Sequence, residues 1–136
     1  MQSLYIICGV PGSGKTWVCT QLQNRFAYIK HDDYVNNRIG FIQALVHALE
    51  TSEIPVVTEC PFKISEVTEG LTTLNIKPIL YLINESEDTI SNRYRTRENK
   101  IIPKQHLTNA KRYAEDKNRW AFIGTSEEVL NKLSEV

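Results

Sequence analysis

Gly9-Val10-Pro11-Gly12-Ser13-Gly14-Lys15-Thr16 satisfies the spacing G-x-x-x-x-G-K-[ST]. In front of it, Leu4 to Cys8 is a short continuous apolar run, the pattern of a strand buried on both faces. Behind it, Lys15 to about Arg25 contains no breaker and reads as a helix. Strand, glycine-rich loop and helix in that order form the context in which the spacing has a mechanism. Glycines let backbone N–H groups turn inward as an anion nest, and the helix N-terminus adds the positive end of its dipole. On this reading Gly9, Pro11, Gly12, Ser13, Gly14, Lys15 and Thr16 wrap the phosphates of a nucleotide. Lys15 reaches the β- and γ-phosphates and Thr16 ligates magnesium, so ATP and Mg2+ are the expected cofactors.

Outward from this loop, apolar runs and helical periods alternate. Phe26 to Ile29 is a second strand, followed by His31, Asp32 and Asp33. In GFIQALVHALE, Ile42, Leu45, Val46 and Leu49 recur at helical spacing, which predicts a helix packed on a sheet with His47 facing outward. PVVTEC gives a third strand ending at Glu59, with Pro61 blocking continuation. A weak helix is predicted over Ile64 to Leu74, then a fourth strand in PILYLIN. Ser86, followed by Glu87 and Asp88, suits a helix start, and Pro103 is expected at the first position of another helix. Trp120 to Ile123 reads as the fifth strand, and Thr125-Ser126-Glu127-Glu128 as a capping box opening a last helix through Leu133. The expected fold is α/β: a three-layer sandwich with a five-stranded parallel sheet, helices on both faces and an arginine-bearing lid over about residues 86–104. Ligands of such sheets bind beyond the carboxyl ends of the strands, where the glycines and the charged residues fall.

The 136 residues form one expected domain over 1–136: this length supports a real core, roughly 68–70% of the unfolded surface, but no second independent domain. Motors, helicases and bifunctional enzymes are thereby excluded. Cys8, Cys19 and Cys60 match no paired metal or redox spacing, which points to a reduced, intracellular protein in the cytoplasm. The N-terminus lacks the features of a signal peptide, and no apolar run approaches the roughly 18 residues of a membrane span.

No Asn-Lys-x-Asp loop for reading guanine is present, and the third strand ends in the lone Glu59 rather than an acidic pair that would polarise water. A small kinase, whose acceptor supplies the hydroxyl, is the class that remains. Asp33, just past the second strand, is the candidate base for the acceptor proton, or else helps Asp32 cap the next helix. Arg38 either holds an acceptor phosphate bidentately or is an exposed helix residue. Glu59 is a carboxylate for the magnesium or the acceptor, or a solvated strand end. Cys60 reads as a packed thiol and Tyr34 as a packing residue. Arg93 and Arg97, four apart, share one helix face while Arg95 points elsewhere; two guanidiniums on one face suit a lid that neutralises charge on a transferred phosphoryl group. The repulsion between them is relieved by an anion held in between.

GVPGSGKT followed by Trp17, then HDDYVNNR, then Arg93-Tyr94-Arg95-Thr96-Arg97 with Lys100 and Pro103, resembles the kinase domain of the bacteriophage polynucleotide kinase family over residues 3 to roughly 120. The resemblance implies ATP-dependent phosphorylation of a nucleic-acid hydroxyl, DNA more readily than RNA, in the host cytoplasm. It implies that Lys15 and Thr16 serve the triphosphate and magnesium, Asp33 is the base, Arg38 binds an acceptor phosphate, and Arg93 and Arg97 form the lid. Glu59 stands where the family has an aspartate, and the segment between HDDY and the third strand is shorter. Related small phage kinases act on hydroxymethylated pyrimidines in DNA.

Three readings follow: a kinase of a polynucleotide 5′-hydroxyl or a hydroxymethylated base, a small-molecule nucleoside or nucleotide kinase, and a nucleotide-binding module without turnover. The net charge of zero divides unevenly. Between Arg93 and Arg119 there are nine Lys or Arg against three Asp or Glu, a surplus of six cations that the rest of the chain cancels.

Overall fold

Five parallel strands join one sheet in the order β2-β3-β1-β4-β5. In chain order they are β1 (Leu4–Cys8), β2 (Ala27–Ile29), β3 (Val56–Glu59), β4 (Ile79–Ile83) and β5 (Phe122–Gly124). The helices are α1 (Lys15–Leu22), α2 (Arg38–Thr51), α3 (Ile64–Thr72), α4 (Glu87–Glu98), α5 (Lys104–Glu115) and α6 (Ser126–Leu133), with a 3-10 turn at His31–Tyr34. The computed structural model describes residues 1–60 and 63–136; the expected stop at Pro61 lies outside the described residues.

Side chains alternate across a strand, so a central parallel strand must feed two cores. β1 does so: Leu4, Ile6 and Cys8 enter a core with Phe41, Leu45, Ala48 and Leu49 of α2 and Val67 and Leu71 of α3. Tyr5 and Ile7 enter the opposite core with Val18, Cys19 and Leu22 of α1 and Val129 and Leu133 of α6. A third, smaller cluster joins Val10 of the glycine-rich loop to Ile90 and Tyr94 of α4 and to Ile102. The loop is therefore packed directly against the helix expected to be the lid.

Several boundaries and faces differ from the sequence reading for local reasons. The buried stripe of α2 is Phe41, Leu45, Ala48 and Leu49, with Ile42 and Val46 half-buried at its edge. Ile42 is instead directed at α3, where a Cβ on Gly70 would lie 2.7 Å from its Cδ1. Pro103 is the cap residue before α5 and not its first residue. β5 starts two residues late because Trp120 turns inward, its Nε1 donating to the Tyr113 carbonyl at 2.7 Å. Asn37, not the acidic pair, caps α2: its side chain accepts from the Gly40 N–H at 3.0 Å.

Ser86 caps α4 and the capping box of α6 is complete, with the Thr125 N–H donating to Glu128 at 2.9 Å. Hydrogen bonds from Thr125 hold the Glu128 carboxyl below its ordinary value. A depressed carboxylate contributes stability above its unfolded pKa and loses it as pH falls through the folded one. Glu128→Gln is therefore expected to lower Tm slightly near neutral pH, with the difference from wild type shrinking in thermal melts as pH falls below the ordinary glutamate range.

Candidate phosphate-binding site

The glycine-rich loop leaves β1 in the middle of the sheet and closes on the N-terminus of α1. Gly12 and Gly14 have φ of +88° and +103°, left-handed values that side chains with a Cβ rarely adopt. At Gly12 a Cβ would also stand 2.8 Å from the Ile90 carbonyl of α4, so glycine is required there by conformation and by space. The loop forms a concave site lined by Val10 to Trp17 together with Arg93 and Arg97, with a volume of about 210 Å³. Both arginines of the expected lid face it, while Arg95 lines a separate cavity with Ser91, Asn92 and Lys104. The expected anion between the arginines is not needed to relieve their repulsion. Arg93 pairs with Glu85 at 3.1 Å and Arg97 with Glu98 at 2.9 Å.

The polar groups of the loop are arranged to receive an anion. Ser13 is wholly buried and its Oγ has no hydrogen-bond partner among the described residues, a state that costs free energy unless a ligand satisfies it. Lys15 Nζ donates to the Gly9 carbonyl at 2.6 Å. Burial pulls its ammonium below the usual lysine range, with Glu59 opposing the shift. A partly buried cation backed by one carbonyl is poised for a negatively charged partner. Thr16 Oγ1 lies 3.0 Å from each oxygen of Glu59.

Glu59 is not a solvated strand end. It is 1% exposed, and besides Thr16 it receives Tyr28 Oη at 2.9 Å and His31 Nε2 at 3.1 Å. The structure thus places it behind the threonine of the loop. Asp33 is exposed in the 3-10 turn, and with Asn37 as the cap of α2 the capping explanation for the acidic pair falls away. Asp32 is exposed and lies 3.3 Å from His31 Nε2. Arg38 does not line the concave site; it pairs with Glu66 at 3.2 Å and bridges α2 to α3. Cys60 is half-buried and lines a second cavity of about 40 Å³ on the other side of Lys15, with Cys8, Gly9, Ile64, Tyr113 and Trp120. Burial pushes the Cys8 and Cys19 thiols up, which leaves them inert.

Four contributors escaped the sequence reading. Glu85, directly after β4, accepts from the Ser126 N–H at 3.2 Å and from its hydroxyl at 2.7 Å as well as pairing with Arg93. Trp17 is 44% exposed and, with Gly14, Arg93, Ser126 and Glu127, lines a cavity of about 310 Å³ beside the phosphate site. Tyr28 and His31 bond Glu59. Position at the carboxyl end of a strand was the available signal for Glu85; Tyr28 is hidden inside an apolar run.

Among the described residues no cluster of three His, Cys, Asp or Glu side chains is arranged to hold a metal ion alone, and no helix is long and apolar enough to cross a membrane.

Sheet order, loop and helices together define the P-loop kinase fold. Solved structures agree. A gluconokinase from Sinorhizobium meliloti superposes with a TM-score of 0.63 at 18% identity, over 95% of this chain and 87% of that one. A tunicamycin resistance protein from Deinococcus radiodurans gives 0.80 at 11% identity, over 99% and 95%. A shikimate kinase from Bacteroides thetaiotaomicron gives 0.60 at 15% identity, over 98% and 97%. Neither a protein-family model nor a curated protein sequence matches the chain. At these identities the likeness is one of fold, shared with small-molecule kinases, and it does not single out the phage polynucleotide kinase family.

Proposed function

We propose that this protein is a P-loop kinase that transfers a phosphoryl group from ATP, with magnesium, to a hydroxyl of a small molecule. The observation that carries the proposal is the loop itself: a buried Ser13 hydroxyl with no partner among the described residues, the desolvated Lys15 and the Thr16 to Glu59 contact converge on one concavity. These residues fit a magnesium nucleotide. The backbone of Gly9 to Gly14, Lys15 and Arg93 would hold the phosphates, and Thr16, with Glu59 behind it, the cation. Bound there, the magnesium nucleotide supplies a phosphoryl group whose developing charge is already countered. Trp17 and Arg93 offer an aromatic face and a guanidinium to the base in the adjoining cavity. Asp33 takes the acceptor proton, with Arg97 as the second lid cation.

The small-molecule acceptor is supported by the neighbouring kinase folds. Among small molecules, nucleosides and nucleotides stand beside sugars as the acceptors to be tried. The second reading, a nucleic-acid hydroxyl in DNA, rests on the basic segment from Arg93 to Arg119.

The test is transfer from γ-labelled ATP in magnesium to a panel of free nucleosides, nucleotides and sugars beside 5′-hydroxyl DNA, 5′-hydroxyl RNA and hydroxymethyluracil duplex. Label on free small molecules alone is the expected result; label only on polymers overturns the small-molecule acceptor. With the labelled acceptor in hand, Asp33→Asn is expected to lower kcat by about a hundredfold while leaving ATP affinity nearly unchanged. Undiminished transfer removes Asp33 from the reaction.

A further inference from the structure

The carboxylate of Glu59 is held by more than the loop. Tyr28 Oη and His31 Nε2 both reach its Oε1, at 2.9 and 3.1 Å, whereas Oε2 is contacted by Thr16 Oγ1 at 3.0 Å. Thr16 sits equally far from Oε1, so its single proton is shared across the carboxylate. Two directed donors on one oxygen fix the rotation of the group about its last bond. They leave Oε2 as the oxygen with spare lone pairs, on the side of Thr16.

Both donors are built in. Tyr28 belongs to the edge strand β2, whose Tyr28 pairs in register with Val57 two residues before Glu59. Glu59 can only accept, so the Tyr28 hydroxyl is the donor of that bond. His31 begins the 3-10 turn that follows, and its Nε2 faces two carboxylates, Glu59 and Asp32. Carboxylates only accept, so the ring proton belongs on Nε2. Among the described residues Nδ1 is then buried without a partner.

We infer that Tyr28 and His31 are positioning residues for magnesium: they lock Glu59 so that its Oε2, together with Thr16 Oγ1, presents a pre-oriented oxygen pair to the hydrated cation of the bound nucleotide. The inference rests on the proposed magnesium nucleotide site. Partners of this kind behind metal-site oxygens carry about 10- to 100-fold of metal affinity where they have been removed.

Calorimetric titration with an ATP analogue whose γ-phosphoryl cannot be transferred, once in excess magnesium and once in EDTA, tests it. The ratio of the two Kd values reports the metal's contribution, and the EDTA value alone reports the phosphate cradle. Wild type is expected to bind more tightly in magnesium. Tyr28→Phe and His31→Ala are each expected to cut that ratio by about tenfold while leaving the EDTA affinity within about twofold of wild type. His31→Gln, which restores an N–H donor, is expected to recover part of the ratio. An unchanged ratio in both variants overturns the inference, and so does an equal loss in EDTA, which would make the two residues merely structural. Failure of wild type to bind the analogue in either buffer overturns the nucleotide site itself, a separate result.

Discussion

Lys15→Met should abolish phosphoryl transfer, lowering kcat/KM by about a thousandfold or more, while the protein stays folded and melts no earlier than wild type. Both halves of this expectation come from one fact. The ammonium is partly buried at the first turn of α1 and is held by the Gly9 carbonyl at 2.6 Å, with desolvation pulling its pKa down. Desolvating that charge costs folding free energy that methionine, similar in length and unbranched, does not incur. What methionine cannot do is meet the charge that accumulates on the transferred phosphoryl group. Lys15→Arg should not rescue, because the planar fork is larger than the ammonium and needs a different geometry. Steady-state kinetics with the labelled acceptor and a calorimetric melt check both halves. Retained transfer would remove the loop from the reaction.

The second large effect is expected at Arg93. Its Nη1 donates to the Ser13 carbonyl at 2.9 Å and pairs with Glu85 at 3.1 Å, so one guanidinium ties α4 to the loop and lines both the phosphate site and the cavity beside it. Arg93→Ala is expected to lower kcat by about 10²- to 10³-fold, the range for a lost charge-stabilising donor. It should also destabilise the fold by about 1–2 kcal/mol, a discounted figure because the guanidinium is partly exposed. The two losses are separable. Glu85→Gln keeps Arg93 but weakens its anchor and the bonds to Ser126, so it should reproduce much of the stability loss with a far smaller loss of kcat. Equal kcat losses in the two variants would make Arg93 an anchor only. Arg97 is secured within its own helix by Glu98 and lies over the Tyr94 ring at 5.8 Å, so its removal should cost less than that of Arg93.

Much of the architecture was legible because its signals are local. The glycine-rich loop is a contiguous stretch whose backbone conformation requires glycine at fixed places. Ser86 and Thr125 act as caps through contacts three residues away. Uniformly apolar runs announced a sheet covered on both faces. Boundaries failed where a distant partner decided them: Trp120 left the strand to meet Tyr113, and the stripe of α2 rotated toward Phe41 and Ala48 because β1 and α3 fix which side is covered. Asn37 displaced the acidic pair as the cap of α2 because the chain continues one more turn before the helix begins.

The site divides in the same way. That the glycine-rich loop closes on α1 at the end of β1, that Lys15 and Thr16 line its concavity, and that Arg93 and Arg97 share a side of α4 all follow from residue spacing, since spacing on a loop or helix fixes relative direction. Where Glu59 sits is different. Its burial behind Thr16, its bonds to Tyr28 and His31, the engagement of Arg38 by Glu66, and the meeting of Glu85 with Ser126 join segments separated by up to 43 residues, as in the contact from Thr16 to Glu59. Strand order in the sheet puts β3 beside β1 and β2 beside β3, and no local pattern encodes that order. The amino-acid sequence by itself determined the phosphate cradle and the class of sheet that presents it. Only the tertiary structure decided which carboxylate stands behind the cradle and what holds it there, because a carboxylate's partners are set by the packing of strands remote in the chain.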